Sequence, residues 1–75
     1  MVKIKVYMVE ESECSIFTGY STEEETQKFV ELVGKFIGTN CLIVLNWTEK
    51  PEAEILDASI AINSRLISVI QCVPW

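Results

Sequence analysis

The sequence predicts a single α+β domain over residues 1–75, in which one amphipathic helix packs on a mostly antiparallel sheet. Its 75 residues suffice for one domain, and 49% of them are hydrophobic. Apolar residues recur at helical spacing in only one long segment, residues 22–37. The other apolar segments are short and either alternate or run continuously, as strands do. Their order is ββαβββ, and ββαβαβ is the alternative if residues 51–62 form a second helix.

The helix over residues 22–37 is predicted from its apolar stripe and from both of its ends. Thr22 and Glu25 have the spacing of a capping box, in which a hydroxyl and a carboxylate satisfy backbone N–H groups at the helix start. Gly38 follows the last apolar residue, at the position where a left-handed residue commonly ends a helix. The stripe consists of Phe29, Leu32, Val33, Phe36 and Ile37.

Two strands are predicted before the helix. Residues 2–9 alternate in polarity, which is typical of a half-buried strand. Residues 10–13 are polar and have the length of a hairpin loop, and residues 14–20 form the second strand. Within it, Gly19 indicates a bulge or the close approach of another element. The faces of the first strand are Val2, Ile4, Val6 and Met8 on one side and Lys3, Lys5 and Tyr7 on the other.

Three strands are predicted after the helix. Residues 41–47 are almost continuously apolar, which predicts a central strand buried on both faces. Residues 55–62 alternate and favour a strand, although Pro51 and the two glutamates that follow it could also begin a helix. Residues 66–73 form the last apolar strand. Because one helix covers only about two strands of one sheet face, an apolar face or edge should remain open, and we expect a homodimer.

The composition argues against several classes of site. The chain contains no histidine, the commonest general base and metal ligand, and no glycine-rich phosphate-binding motif. We therefore predict no enzyme activity, no catalytic residues, no metal and no cofactor. Cys14, Cys41 and Cys72 lack CxxC spacing and lie in apolar runs, so we expect reduced, buried residues of a cytoplasmic protein. No apolar run approaches the ~20 residues that span a bilayer.

Acidic residues and tryptophans are predicted to collect at one end of this fold. The alternating directions of the elements bring the helix start to the same end as the end of strand 41–47 and the last residue. The chain carries a net charge of −5, and tryptophan is enriched in binding hot spots. The predicted partner-binding residues are Glu23, Glu24, Glu25, Trp47, Glu49, Glu52, Glu54 and Trp75.

These observations favour a small, non-enzymatic module that binds a basic surface of another protein as a regulator or inhibitor. In size, charge and lack of catalytic residues it is similar in type to inhibitors that phages and viruses encode, anti-CRISPR proteins included. The alternative is a module that binds single-stranded nucleic acid through Lys3, Lys5 and Tyr7, a basic and aromatic row. The net acidity disfavours nucleic acid, and no membrane partner is expected.

Overall fold

The computed structural model describes all residues, 1–75, and shows one helix packed on antiparallel sheets. The ββαβββ order predicted from the sequence is confirmed, and residues 51–57 form a loop without a second helix. No helix in the structure combines the length and the apolar character that crossing a membrane requires. The elements are β1 (Val2–Glu10), β2 (Glu13–Ser21), α1 (Glu23–Lys35), β3 (Leu42–Trp47), β4 (Ala58–Asn63) and β5 (Ile67–Pro74), with a 3₁₀ turn at Ser64–Leu66 before β5.

The five strands divide into two sheets. One has the order β2-β1-β5, so β1 is its central strand, and the other contains only β3 and β4. The sheets meet just after β3, where Thr48 and Tyr20 exchange backbone hydrogen bonds of 2.8 and 2.9 Å. The Ser21 hydroxyl, which is fully buried, donates to the backbone oxygen of Asn46 at 2.7 Å beside this seam. The seam therefore holds the end of β2 against the end of β3.

One hydrophobic core lies between α1 and the inner faces of both sheets. The alternation of β1 is confirmed, because Val2, Ile4 and Val6 are buried while the lysines between them are only half-buried. The buried helical stripe is shorter and narrower than predicted: α1 ends at Lys35, Ile37 beyond it is 70% exposed, and Leu32 within it is 41% exposed. The buried cluster consists of Ile4, Val6, Phe29, Val33, Ile43, Leu45 and Ile62.

The prediction of a central strand at residues 41–47, buried on both faces, is wrong. Ile43 and Leu45 of β3 face the core, but Leu42 and Val44 on the other face are 69% and 55% exposed. The physical reason is that the only long helix packs on the inner face, and no other layer of the chain covers the outer one. A continuous apolar run here marks a strand with one covered face.

Both ends of α1 show the predicted local chemistry, with one difference. The hydroxyl of Thr22, the N-cap residue, accepts a hydrogen bond from the backbone N–H of Glu25 at 3.1 Å. The Glu25 carboxylate does not complete the capping box; its Oε2 accepts from Asn46 Nδ2 at 3.4 Å instead. Gly38 has a φ of +80°, the left-handed conformation expected after a helix.

The prediction that the three cysteines are buried is wrong. Cys14 and Cys72 are exposed, Cys41 is half-buried, and all three thiols are free. The apolar runs that contain them belong to strands with one open face or edge, so an apolar neighbourhood in sequence does not imply burial. Partial burial in the groove between α1 and β5 nevertheless raises the pKa of the Cys72 thiol.

Candidate functional site

The structure places the two predicted acidic segments at the same end of the fold. β1 begins opposite the ends of β2 and β5, because Val2 pairs with Ser21 on one side and with Pro74 on the other. α1 begins immediately after β2. The loop 49–57 connects β3 to β4 at the end of their hairpin where Trp47 pairs with Ala58. We call this region the acidic end and define it by Glu23, Glu24, Glu25, Glu49, Glu52 and Glu54.

Asn46 connects the helix start to both sheets at the acidic end. Its side-chain amide donates to Glu25, and its Oδ1 accepts from the Ser59 hydroxyl of β4 at 2.7 Å. Its backbone oxygen accepts from the buried hydroxyl of Ser21 at 2.7 Å. Asn46 is not among the predicted site residues, although it is the only residue of β3 with a side-chain amide within an otherwise apolar strand. These bonds hold the first turn of α1 beside the end of β3.

The charge of the acidic end is largely uncompensated. Five of its six glutamates are exposed, and only Glu25 is half-buried. Glu24 forms a salt bridge with Lys28 at 3.4 Å, but both side chains are mostly exposed, so water screens this pair. Lys50 is the one cation in the loop 49–57. The end therefore carries a negative potential that can steer a basic partner toward it.

The two tryptophans of the acidic end lie on opposite faces of β2, so the structure does not bring them together. The Trp47 ring packs inward against the backbone of Gly19 and meets the Phe17 ring edge-on, with centroids 4.9 Å apart. Trp75 is 68% exposed and meets the Tyr20 ring edge-on at 5.1 Å. Only Trp75 therefore offers a largely exposed indole to a partner.

A hollow of about 390 Å³ opens beside Trp47 at this end. Glu49 and Asp57 contribute carboxylates to its wall, and Lys50 contributes the one positive charge. The acidic, cysteine and other candidate ligand groups do not assemble into a metal site anywhere in the structure. The carboxylates are thus spread over a surface, an arrangement that suits several basic side chains of a partner better than a single ion.

No family model matches the chain, and no curated protein or solved structure is significantly similar to it.

A second surface differs sharply from the acidic end. The outer face of the three-stranded sheet, which we call the open face, points away from α1 and carries no acidic residue. Lys3, Lys5 and Tyr7 lie in one row along its central strand, and the cross-strand neighbour of Lys3 is Tyr20. The other residues of the open face are Val9, Cys14, Ile16, Thr18, Val69, Gln71, Val73 and Trp75. The chain thus segregates its charge, although its net charge is −5.

Proposed function

We propose that this protein is a small, non-enzymatic protein-binding module of the cytoplasm that recognises a basic surface of its partner through the acidic end. It acts as a regulator or inhibitor of that partner, of the kind that phages and viruses encode. The observation that carries the proposal is that two separate acidic segments, at the helix start and in the loop 49–57, lie at the same end of the sheets, where Thr48 bridges to Tyr20 and the exposed indole of Trp75 packs on the Tyr20 ring. A dense patch of exposed carboxylates accelerates association, and an exposed tryptophan supplies contact area.

The proposal is tested by reversing the charge at one end of the molecule at a time. Glu49, Glu52 and Glu54 are exposed loop residues, so their replacement by lysine should leave the fold intact. The matched control reverses Glu10, Glu11 and Glu13, which are also exposed but lie in and next to the β1–β2 hairpin turn at the opposite end. Both variants undergo the same change in net charge.

We expect the acidic-end variant to associate roughly 10- to 100-fold more slowly with the partner that the native protein captures, and to lose most of the salt dependence of the rate. The hairpin variant should associate within about threefold of the native rate. Surface plasmon resonance at low and physiological salt measures both rates. Equal association rates for the two variants would show that the acidic end is not the binding surface.

A second candidate function is the binding of single-stranded nucleic acid on the open face. The observation that favours it is the row of Lys3, Lys5 and Tyr7 on a sheet surface without carboxylates, with Tyr20 beside it. Stacking bases on aromatic rings of a sheet and neutralising phosphates with lysines is a common mode of binding. Fluorescence anisotropy with a short labelled oligothymidine tests it, and binding that weakens with salt and is lost in Lys3→Glu/Lys5→Glu would favour this candidate.

We also propose that the module is a homodimer. The open face and the edge of β5 beside it expose apolar side chains that one helix cannot reach, among them Ile16, Val69 and Val73. Such surfaces are commonly covered by a second copy of the chain in a two-fold assembly. Sedimentation at micromolar protein tests the state, since a monomer has a mass of 8.5 kDa and a dimer twice that.

A further inference from the structure

We infer that the free edge of β5 pairs with β5 of a second copy, antiparallel and about a two-fold axis through Gln71, so that two three-stranded sheets join into one continuous sheet. The inference rests on the proposed homodimer and names its interface. It is independent of the acidic end.

β5 is the least protected strand edge in the structure. It pairs with β1 on one side only, and its eight residues, of which six are exposed, include no charge. Proteins commonly block such edges with charged side chains, prolines or bulges. Here the proline is the last residue of the strand, and the bulge, at Ser68, lies at its beginning. The stretch between them is open to another strand.

The other strand edges are better protected. β4 has six residues, of which only two are exposed, and Ile62 in it is buried in the core. The outer edge of β2 is already engaged by Thr48 at Tyr20, and Glu13 lies at its beginning. β5 is therefore the edge on which a second chain gains the most backbone pairing.

The hydrogen-bond pattern shows which backbone groups of β5 are free. The backbone N–H of Trp75 donates to the oxygen of Met1 at 3.1 Å, which continues the β1–β5 ladder by one pair beyond Val2–Pro74. Hydrogen-bonded pairs alternate along an antiparallel ladder, so every second residue from Trp75 turns its backbone toward β1. The residues between them, Ile70 and Cys72, turn both the N–H and the C=O toward the free edge.

A two-fold axis through Gln71 brings the free backbone groups of one copy opposite the free backbone groups of the other. Ile70 of each copy then lies opposite Cys72 of the other, and each pair exchanges both backbone hydrogen bonds. An axis through Ile70 would place Cys72 against the bulged Ser68. An axis through Cys72 would place Ile70 against Pro74, which has no N–H. The Gln71 axis instead places the bulged Ser68 opposite Pro74 at each end of the contact, and it leaves both Ile70–Cys72 pairs intact between them.

The side chains suit the same register. On the open face, Val69 of each copy lies opposite Val73 of the other, and these residues are 52% and 46% exposed in the single chain. No charged residue lies on β5, so no like charges face each other between the two paired strands. Because the pairing is antiparallel, the two acidic ends lie at opposite ends of the joined sheet. This separation limits the electrostatic repulsion between two chains that each carry a net charge of −5.

A disulfide across the two-fold axis tests the register. Gln71 would face its own copy in a pair without backbone hydrogen bonds, where the Cα atoms lie ~4.5 Å apart, a separation that a disulfide spans. Gln71→Cys is made in a chain whose three natural cysteines are replaced by alanine. Thr18→Cys in the same background is the matched control, because Thr18 is exposed on the open face in the same cross-strand row, on the other side of β1.

We expect mild oxidation to convert most of the Gln71→Cys protein, and at least fivefold less of the Thr18→Cys protein, into a covalent dimer at equal concentration. A second pair of variants tests the edge itself without any cross-link. Cys72→Pro removes one outward N–H but none that bonds to β1, and Cys72→Ala removes only the thiol. Cys72→Pro should raise the dimer dissociation constant at least tenfold relative to Cys72→Ala, while circular dichroism reports that both variants are folded.

The outcomes separate this inference from the proposals on which it depends. Preferential cross-linking at position 71 together with the weaker Cys72→Pro dimer supports β5 pairing. A stable dimer in which both cysteine variants cross-link equally, or in which both Cys72 variants associate equally, overturns the interface and leaves the dimer standing. A monomer at all micromolar concentrations overturns both, and the charge-reversal experiment on the acidic end still decides the proposed function.

Discussion

Gly19 is the position at which a single added methyl group tests how the two sheets pack. It lies on the inner face of β2, opposite Ile4, with the Trp47 ring directly against it. A Cβ atom at Gly19 would lie 2.7 Å from Trp47 Cε3 and 3.1 Å from Phe17 Cζ. Because these two rings also pack against each other, neither can move aside freely. Gly19→Ala should therefore force Trp47 and the β3–β4 sheet away from β2.

The expected loss follows from two opposing terms. Overpacking in a well-filled interior costs about 1–3 kcal/mol. Replacing a strand glycine by alanine in open space would by itself stabilise by about 0.5–1 kcal/mol, because glycine loses more backbone entropy on folding. The net expectation is a fall of about 1–2 kcal/mol in the free energy of unfolding. For a domain of this size each kcal/mol lowers Tm by about 4–8 °C.

Urea unfolding followed by circular dichroism, at one fixed protein concentration, measures the change. The control is Gly34→Ala, since Gly34 lies within α1 and an added Cβ would meet no atom within 4 Å. There alanine should stabilise by about 0.5–1 kcal/mol through its higher helix propensity. If Gly19→Ala proves as stable as the native protein while Gly34→Ala behaves as expected, the account of close packing between Gly19 and Trp47 is refuted.

Two further predictions concern the helix start and a thiol. Thr22→Ala removes the hydroxyl that accepts a hydrogen bond from the Glu25 N–H, so it should lower the free energy of unfolding by about 1 kcal/mol. Thr22→Ser keeps a hydroxyl and should change the free energy of unfolding little. Equal stability of the alanine and serine variants in urea would contradict the cap. Partial burial raises the pKa of the Cys72 thiol, which lowers the fraction of reactive thiolate relative to the unfolded chain. Iodoacetamide should therefore modify Cys72 more slowly in the folded than in the urea-unfolded chain, at a rate that increases as the pH becomes alkaline. Equal folded and unfolded rates at neutral pH, measured by mass spectrometry, would contradict partial burial of this thiol.

The sequence by itself determined the order of the elements and most of their bounds. The cap at Thr22 and the left-handed Gly38 depend on residues within a turn of each other, and the alternation of β1 needs only a period of two. The position of the acidic end also followed from the sequence, because short connections between antiparallel elements leave few choices of direction. These features are local or follow from chain direction alone.

Only the tertiary structure decided which apolar residues are covered. Val44 and Ile43 are neighbours of similar hydrophobicity, yet α1 packs on the face of β3 that contains Ile43 and leaves Val44 exposed. Likewise Trp47 turns inward because Gly19 leaves room for its ring, while Trp75 lies on the open face. Burial depends on which layer lies above a face, and a chain with one long helix can cover only one face of each sheet. The outer edge of β5 stays open for a separate reason, because no other strand of the chain pairs with it.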